Sequence, residues 1–255
     1  MTNKSILSLV IGCILFTTSC IEDNKNNKCT LQSTFTIAHT SNTSVLYNDG
    51  GITIYPSAAG LAALSDNNFM NVKRALLLVS YDEDNVIDNT FPNVTIKEAD
   101  IVEGTAIPTR NVLQKNDAER LNQLDPDSIF AIDNLTPSTD IWFYRGYMNI
   151  SFVTSYYSKN NKNVIPTMNV IFEQDQKDPR KAGLTLILNK HADYRSDAIV
   201  GSARIVNSID ITSLKNYFPP AGIDSVMFNI NYRIASGETS VERKVSLNDF
   251  YYPYK

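Results

Sequence analysis

Histidine is the side chain most often recruited for proton transfer at neutral pH, and this chain has two, His39 and His191. Neither lies in a His-Glu-x-x-His motif. The chain has no Gly-x-Ser-x-Gly elbow and no glycine-rich phosphate loop. A Ser/His/Asp site can still assemble from separated residues, because geometry and not chain order defines it. His191 ends a strand pattern in Lys190-His191-Ala192-Asp193-Tyr194, where a hydrogen-bonded structural histidine is the favoured reading and a ligand contact the other. No catalytic residue is assigned, and the chain is expected not to be an enzyme.

The acidic run Asp82-Glu83-Asp84-Asn85, followed by Asp88, places oxygen ligands at the alternating spacing that calcium accepts. The glycine that an EF-hand needs at its sixth position is missing, so the run reads as a solvated loop after a strand. No metal and no cofactor is expected.

Aromatic residues carry the better binding hypothesis. Trp142, Tyr144 and Tyr147 surround one turn, and Tyr156, Tyr157, Tyr217 and Phe218 lie further on. Aromatic faces stack on sugars and receive hydrophobic anchors of protein partners. Strand alternation puts Trp142 and Tyr144 on one face and Phe143 on the other, and one of those faces must be core. The core is the favoured place for Trp142, and one tryptophan is sparse for a dedicated glycan face.

The elements that must position these residues are strands. Ser44–Tyr47 and Ile52–Pro56 flank Asn48-Asp49-Gly50-Gly51, a strong hairpin signal because glycine accepts positive φ without a Cβ clash. Residues 57–72 read as a connection with one helical turn. Arg74–Tyr81 is an apolar run like a strand buried on both sides, and 94–102 is a strand with a bend. This density of strands suits a small barrel. Pro108, Pro126 and Pro137 punctuate 104–139, which holds a short helix candidate at Gln114–Leu124. This stretch reads as a junction, giving one domain over 34–124 and a second over 125–255. Seven strand patterns with turns between them follow, among them 140–144, 147–157, 163–173 and 183–190, and argue for a β-sandwich. The fold class is therefore all-β, a small OB-like barrel followed by a sandwich.

The start of the chain is different in kind. Lys4 precedes the apolar run Ile6–Phe16, which is too short to span a bilayer at ~20 residues and fits a secretory signal over 1–19. Small residues lead to Cys20, as in a bacterial lipoprotein signal in which the cysteine becomes the first mature residue and carries lipid. The alternative is ordinary cleavage, with Cys20 free or bridged to Cys29. Acyl chains add ~0.8 kcal/mol of membrane affinity per buried methylene, so acylated Cys20 would be a durable anchor. Residues 20–33 read as a flexible tether. Acidic Glu22 and Asp23 behind the cysteine resemble the export signal that Bacteroides-type bacteria use for the outer face of the outer membrane; the periplasmic face is the alternative. Without residues 1–19 the chain loses one basic residue of 23 and none of its 27 acidic ones, leaving a charge of −5. That balance offers no electrostatic footprint for nucleic acid.

Several segments resemble the NigD-like family of Bacteroides-type lipoproteins. They are the lipoprotein start, "NDGGITIYP", "RALLLVSYD", "DIWFYRGYMNISF", "LTLILNKHADY" and "SVMFNINYRIASGE". The most specific is the tryptophan strand, glycine and aromatic strand at 140–152, with Met148 where the family carries leucine. Lys190-His191-Ala192 stands where the family shows His-Asn-Ala. The resemblance implies an OB-type barrel followed by a β-sandwich, and a link to a bacteriocin-associated gene cluster, without an established activity. The expected function is a non-catalytic binding or accessory module for a glycan or protein ligand, held to a membrane through Cys20. An immunity protein for a secreted toxin, or an enzyme acting on a surface glycan or peptide, are the alternatives.

Overall fold

The computed structural model describes residues 17–20, 28–40, 43–90, 93–115, 129–130, 132, 135–159, 162–164, 166–189, 199–218, 224–234 and 236–250. The chain divides into two units, one ending at Ala106 and one beginning at Ile107.

In the first unit β1 (Thr17–Cys20) lies antiparallel on β2 (Lys28–His39), with Cys20 opposite Cys29. Then come β3 (Ser44–Asn48), β4 (Thr53–Pro56), α1 (Ala58–Asp66), β5 (Arg74–Asp82), β6 (Val86–Asp88) and β7 (Thr95–Ala106). Strands β2-β3-β4-β7-β5 close into a barrel, because β5 pairs back onto β2. The pairing of β4 with β7 is parallel and the other pairings are antiparallel. A helix between the third and fourth barrel strands completes the arrangement of an OB-type barrel.

Alternation explains the core. Leu31 and Phe35 on β2, Leu46 on β3, Ile54 on β4, and Leu77 and Val79 on β5 are almost wholly buried. The β5 run is buried on one side only, since Leu76 is 36% exposed on the outer wall. A closed barrel has one inward face per strand, whatever the hydrophobicity of the other. The expected bend in β7 is a bulge, with Glu98 at φ 51° and a register shift between Ile54 and Pro56 on β4. Helix α1 is longer than the single turn expected. Ser57 caps it by accepting the Gly60 N–H at 2.9 Å, and its own N–H donates to the Ala99 carbonyl of β7 at 2.9 Å. Leu64 then seats in the barrel core.

The tether is shorter than 20–33. Residues 28–33 are strand, because Leu31 and Ser33 share the inward parity of Phe35 and pair with β5. The polar look of "KCTLQS" hides one buried leucine at the right spacing.

The second unit comprises β8 (Thr109–Asn111), β9 (Leu113–Gln114), β10 (Ile129–Phe130), β11 (Ile141–Tyr144), β12 (Tyr147–Lys159), β13 (Lys162–Val164), β14 (Thr167–Gln174), β15 (Lys181–Asn189), β16 (Ile199–Asp210), β17 (Ser225–Ile234) and β18 (Gly237–Ser246). One sheet orders β18-β17-β15-β14-β9, with β10 beside β15; the other orders β11-β12-β16-β8, with β13 beside β12. Met148, Ile150, Phe152 and Ile209 of one sheet and Phe172, Leu184, Leu186, Phe228 and Ile230 of the other share a single core. This is a β-sandwich. The boundary expected at 124/125 thus falls at 106/107. Thr109–Asn111 pair with β16 and Leu113–Gln114 with β14, so this stretch joins both sheets and belongs to the sandwich. The helix candidate at 114–124 lies almost entirely outside the described residues.

Candidate functional site

Strands β11 and β12 form a two-residue hairpin in which Tyr144 opposes Tyr147 and Trp142 opposes Asn149. Arg145 and Gly146 both have positive φ, 45° and 83°, as a type I′ turn requires. Phe143 stacks on Phe228 at 5.7 Å with rings 10° from parallel. Ile141 and Phe143 therefore face the core, and Trp142 and Tyr144 face away from it. This corrects the assignment of Trp142 to the core. A strand has a period of two, so its parity follows the inward set Met148-Ile150-Phe152 of its neighbour, not the size of one side chain.

Trp142 and Tyr144 are half-buried, and the Arg145 guanidinium carbon lies 5.3 Å from the Tyr144 ring centre. Tyr147 is 0% exposed, as are Asn149 and Ser208 in the adjoining row, where the Ser208 hydroxyl donates to Asn149 Oδ1 at 2.5 Å. Tyr147 therefore offers no surface to a ligand. His191 lies outside the described residues, and Cys20 is placed only by its strand pairing. The hairpin gathers Trp142, Tyr144 and Tyr147 on one face of the sheet but not into an open aromatic platform.

His39 Nδ1 lies 2.8 Å from the Ser44 hydroxyl. The pair has the composition of a nucleophile and its base, but Ser44 is 3% exposed and out of a substrate's reach. The acidic run after β5 forms a short helical turn, Glu83–Asn85, with Asp82, Glu83, Asp84 and Asp88 turned to solvent. Among the described residues no group of three or more His, Cys, Asp or Glu side chains converges on a metal site.

The hairpin Asn48–Gly51 contributes structure. The side chains of Asp49 and Arg74 are both 0% exposed and form a two-pronged ion pair, each prong 2.6 Å. Thr34 donates to Asp49 at 2.8 Å, and Arg74 donates to Thr36 at 2.8 Å. Neither residue's sequence context distinguishes it from a surface charge.

An open cleft of about 440 Å³ lies on the outer face of the sandwich sheet that contains β15. Register places Glu173 opposite Gly183, Gly183 opposite Asn229 and Asn229 opposite Glu242, so one row crosses β14, β15, β17 and β18. All four point away from the core that their neighbours Phe172, Ala182, Leu184 and Phe228 fill. Lys181 and Met227 form part of the next row. Lys115 pairs with Glu173 at 2.5 Å.

The loop 175–181 closes one end of the cleft and is internally braced. Asp175 Oδ1 accepts the Lys177 and Asp178 N–H groups at 2.7 and 3.2 Å, and the Arg180 carbonyl accepts the Met227 N–H at 2.8 Å. The backbone N–H of Arg180 donates to Asp178 and holds its carboxyl below the ordinary 3.8, with help from the Arg180 side chain.

Sequence reading missed this row because its members come from four strands spread over some seventy residues. The available signal was the outward parity of each residue and a glycine in mid-strand at 183.

No protein-family model matches the chain, and no curated protein matches it in sequence. Solved structures do. A protein from Parabacteroides distasonis described as toxin-related shares the fold with TM-score 0.56 and 19% identity over 86% of this chain and 95% of its own. A protein from Bacteroides fragilis described as a lipoprotein matches with TM-score 0.58 and 8% identity over 85% and 97%. A NigD-like immunity protein from Bacteroides caccae matches with TM-score 0.51 and 14% identity over 85% and 97%. The chain thus has the fold of a solved member of the family its sequence resembles.

Proposed function

We propose that the protein is a lipid-anchored, non-catalytic binding module displayed on the outer membrane surface. The observation that carries this reading is the open cleft across β14, β15, β17 and β18, floored by a rigid sheet and closed at one end by a braced loop. Its volume lies in the ~300–1,000 Å³ range of small-ligand sites. Its outer carboxylates, Glu173 and Glu242, stand three strand spacings apart, about 14 Å. Paired acids of glycoside hydrolysis sit ~5–9.5 Å apart, closer than these two. The anchor rests on the apolar leader and Cys20, and on the likeness to a Bacteroides protein described as a lipoprotein. No helix among the described residues is long and apolar enough to cross a membrane.

The test is an array of glycans and proteins probed with the purified full-length protein in detergent. Retention of a defined ligand class is expected; silence across the array would remove the binding role. A second reading, protection against a secreted toxin, draws on the likeness to the NigD-like immunity protein. Deleting the gene would then sensitise cells to a neighbouring toxin.

A further inference from the structure

Gly183 occupies the middle of β15, a position where glycine weakens a strand through its backbone entropy and its missing side chain. Two reasons usually explain such a residue, and neither holds here. Its φ is not among the positive values of the chain, so the backbone does not require glycine. A Cβ built on it would come no closer than 3.7 Å to another atom, the Glu173 carbonyl oxygen, so packing does not require glycine either. What its lack of a side chain does achieve is to leave the backbone of the sheet bare at the floor of the cleft, between Glu173 and Asn229. A bare stretch of mid-strand backbone is where a ligand can approach closely.

Resting on the binding role proposed above, we propose that this cleft takes a segment of neutral oligosaccharide laid across the strands over Gly183. The chemistry of the walls selects that class. Asn229 both donates and accepts, the Glu242 carboxylate accepts from two neighbouring hydroxyls, and Lys181 donates. Met227 adds an apolar patch for a sugar's C–H face. Lys115 neutralises Glu173, and Lys181 lies 3.9 Å from Asp178 of the loop, so Glu242 and Asp175 give the cleft a surplus of carboxylates. One oxygen of Asp175 is already occupied by loop amides. This surplus of carboxylates repels anions, and the closely spaced donors and acceptors favour hydroxyl groups. The row reaches the sheet edge at β18, which suits a chain extending out of the cleft better than an enclosed monosaccharide.

The experiment compares the full-length protein with Gly183→Val and Asn229→Ala on a panel of neutral gluco-, manno-, galacto- and xylo-configured tetrasaccharides, acidic oligosaccharides and peptides. Valine suits a strand, so Gly183→Val should melt at the same temperature as the parent or higher. Its affinity for a neutral oligosaccharide should fall about tenfold or more, and that of Asn229→Ala similarly. Binding of the parent should change little between low and high salt, as a neutral ligand requires. Unchanged binding in both variants, or retention of acidic oligosaccharides or peptides alone, would overturn the glycan site while leaving a binding role intact. Retention of nothing on the panel would overturn both.

Discussion

At the scale of single residues, burial decides which charges are structural. Asp49 and Arg74 have no solvent to return to, so removing one partner strands the other. Asp49→Ala should cost about 3–5 kcal/mol, and adding Arg74→Met should recover much of that loss. Denaturant unfolding followed by circular dichroism checks both; a milder single loss with no recovery in the double variant would contradict the role given to this pair. The half-buried Asp178 behaves differently. Its carboxyl is held below the ordinary 3.8 by the Arg180 N–H, so its bracing of the loop is present above that value and is lost as pH falls through the lower one. Titrating the Arg180 amide resonance should give a midpoint below 3.8, and a midpoint at or above it would show that the contact is absent. At this scale little was legible in sequence. Trp142 was favoured for the core because one face of its strand must be core, and is turned outward by parity, while Tyr147 looked like a ligand contact and is 0% exposed.

At the scale of elements, local chemistry was far more legible. The Asn48–Gly51 turn, the bend in β7 and most sandwich strands lie where turn residues and alternation put them, but the strand expected over 163–173 is two, β13 and β14, in different sheets. What alternation cannot show is which strands become neighbours, and the row over Gly183 exists only through such pairing. The same limit shortened α1, whose glycine and alanines read as a connection with a single helical turn. Gly60 is needed there because a Cβ would sit 2.6 Å from the Ala99 carbonyl oxygen of β7. Gly60→Ala would gain about 1 kcal/mol of helix propensity. It should nonetheless lose about 1–3 kcal/mol overall through the forced shift of α1 from the barrel. Urea midpoints of the two proteins measure the sign, and a stabilised variant would show that the helix can move freely.

At the scale of the whole molecule, each all-β unit is held by its own packed core, and the proposed attachment to a membrane is chemical. Cys20→Ser should move the protein from the membrane to the soluble fraction and remove the mass of the acyl chains. A membrane-bound Cys20→Ser protein would require a different anchor. The class of each unit was legible because dense short strands with turn signals admit few alternatives. The division between them was not. Residues 107–115 carry proline and polar side chains like a linker, yet their backbone pairs with both sheets of the sandwich.

The closure of β2 against β5 has a consequence for the order of assembly. Lys28 pairs with Asp82, and the ring is complete only when β7, ending at Ala106, has added its own pairs. Such distant pairings are slow to form, and the barrel cannot close until the strand ending at Ala106 is available. For the exported lipoprotein proposed above, that delay would be an asset, because a chain must pass a narrow translocation pore before it folds.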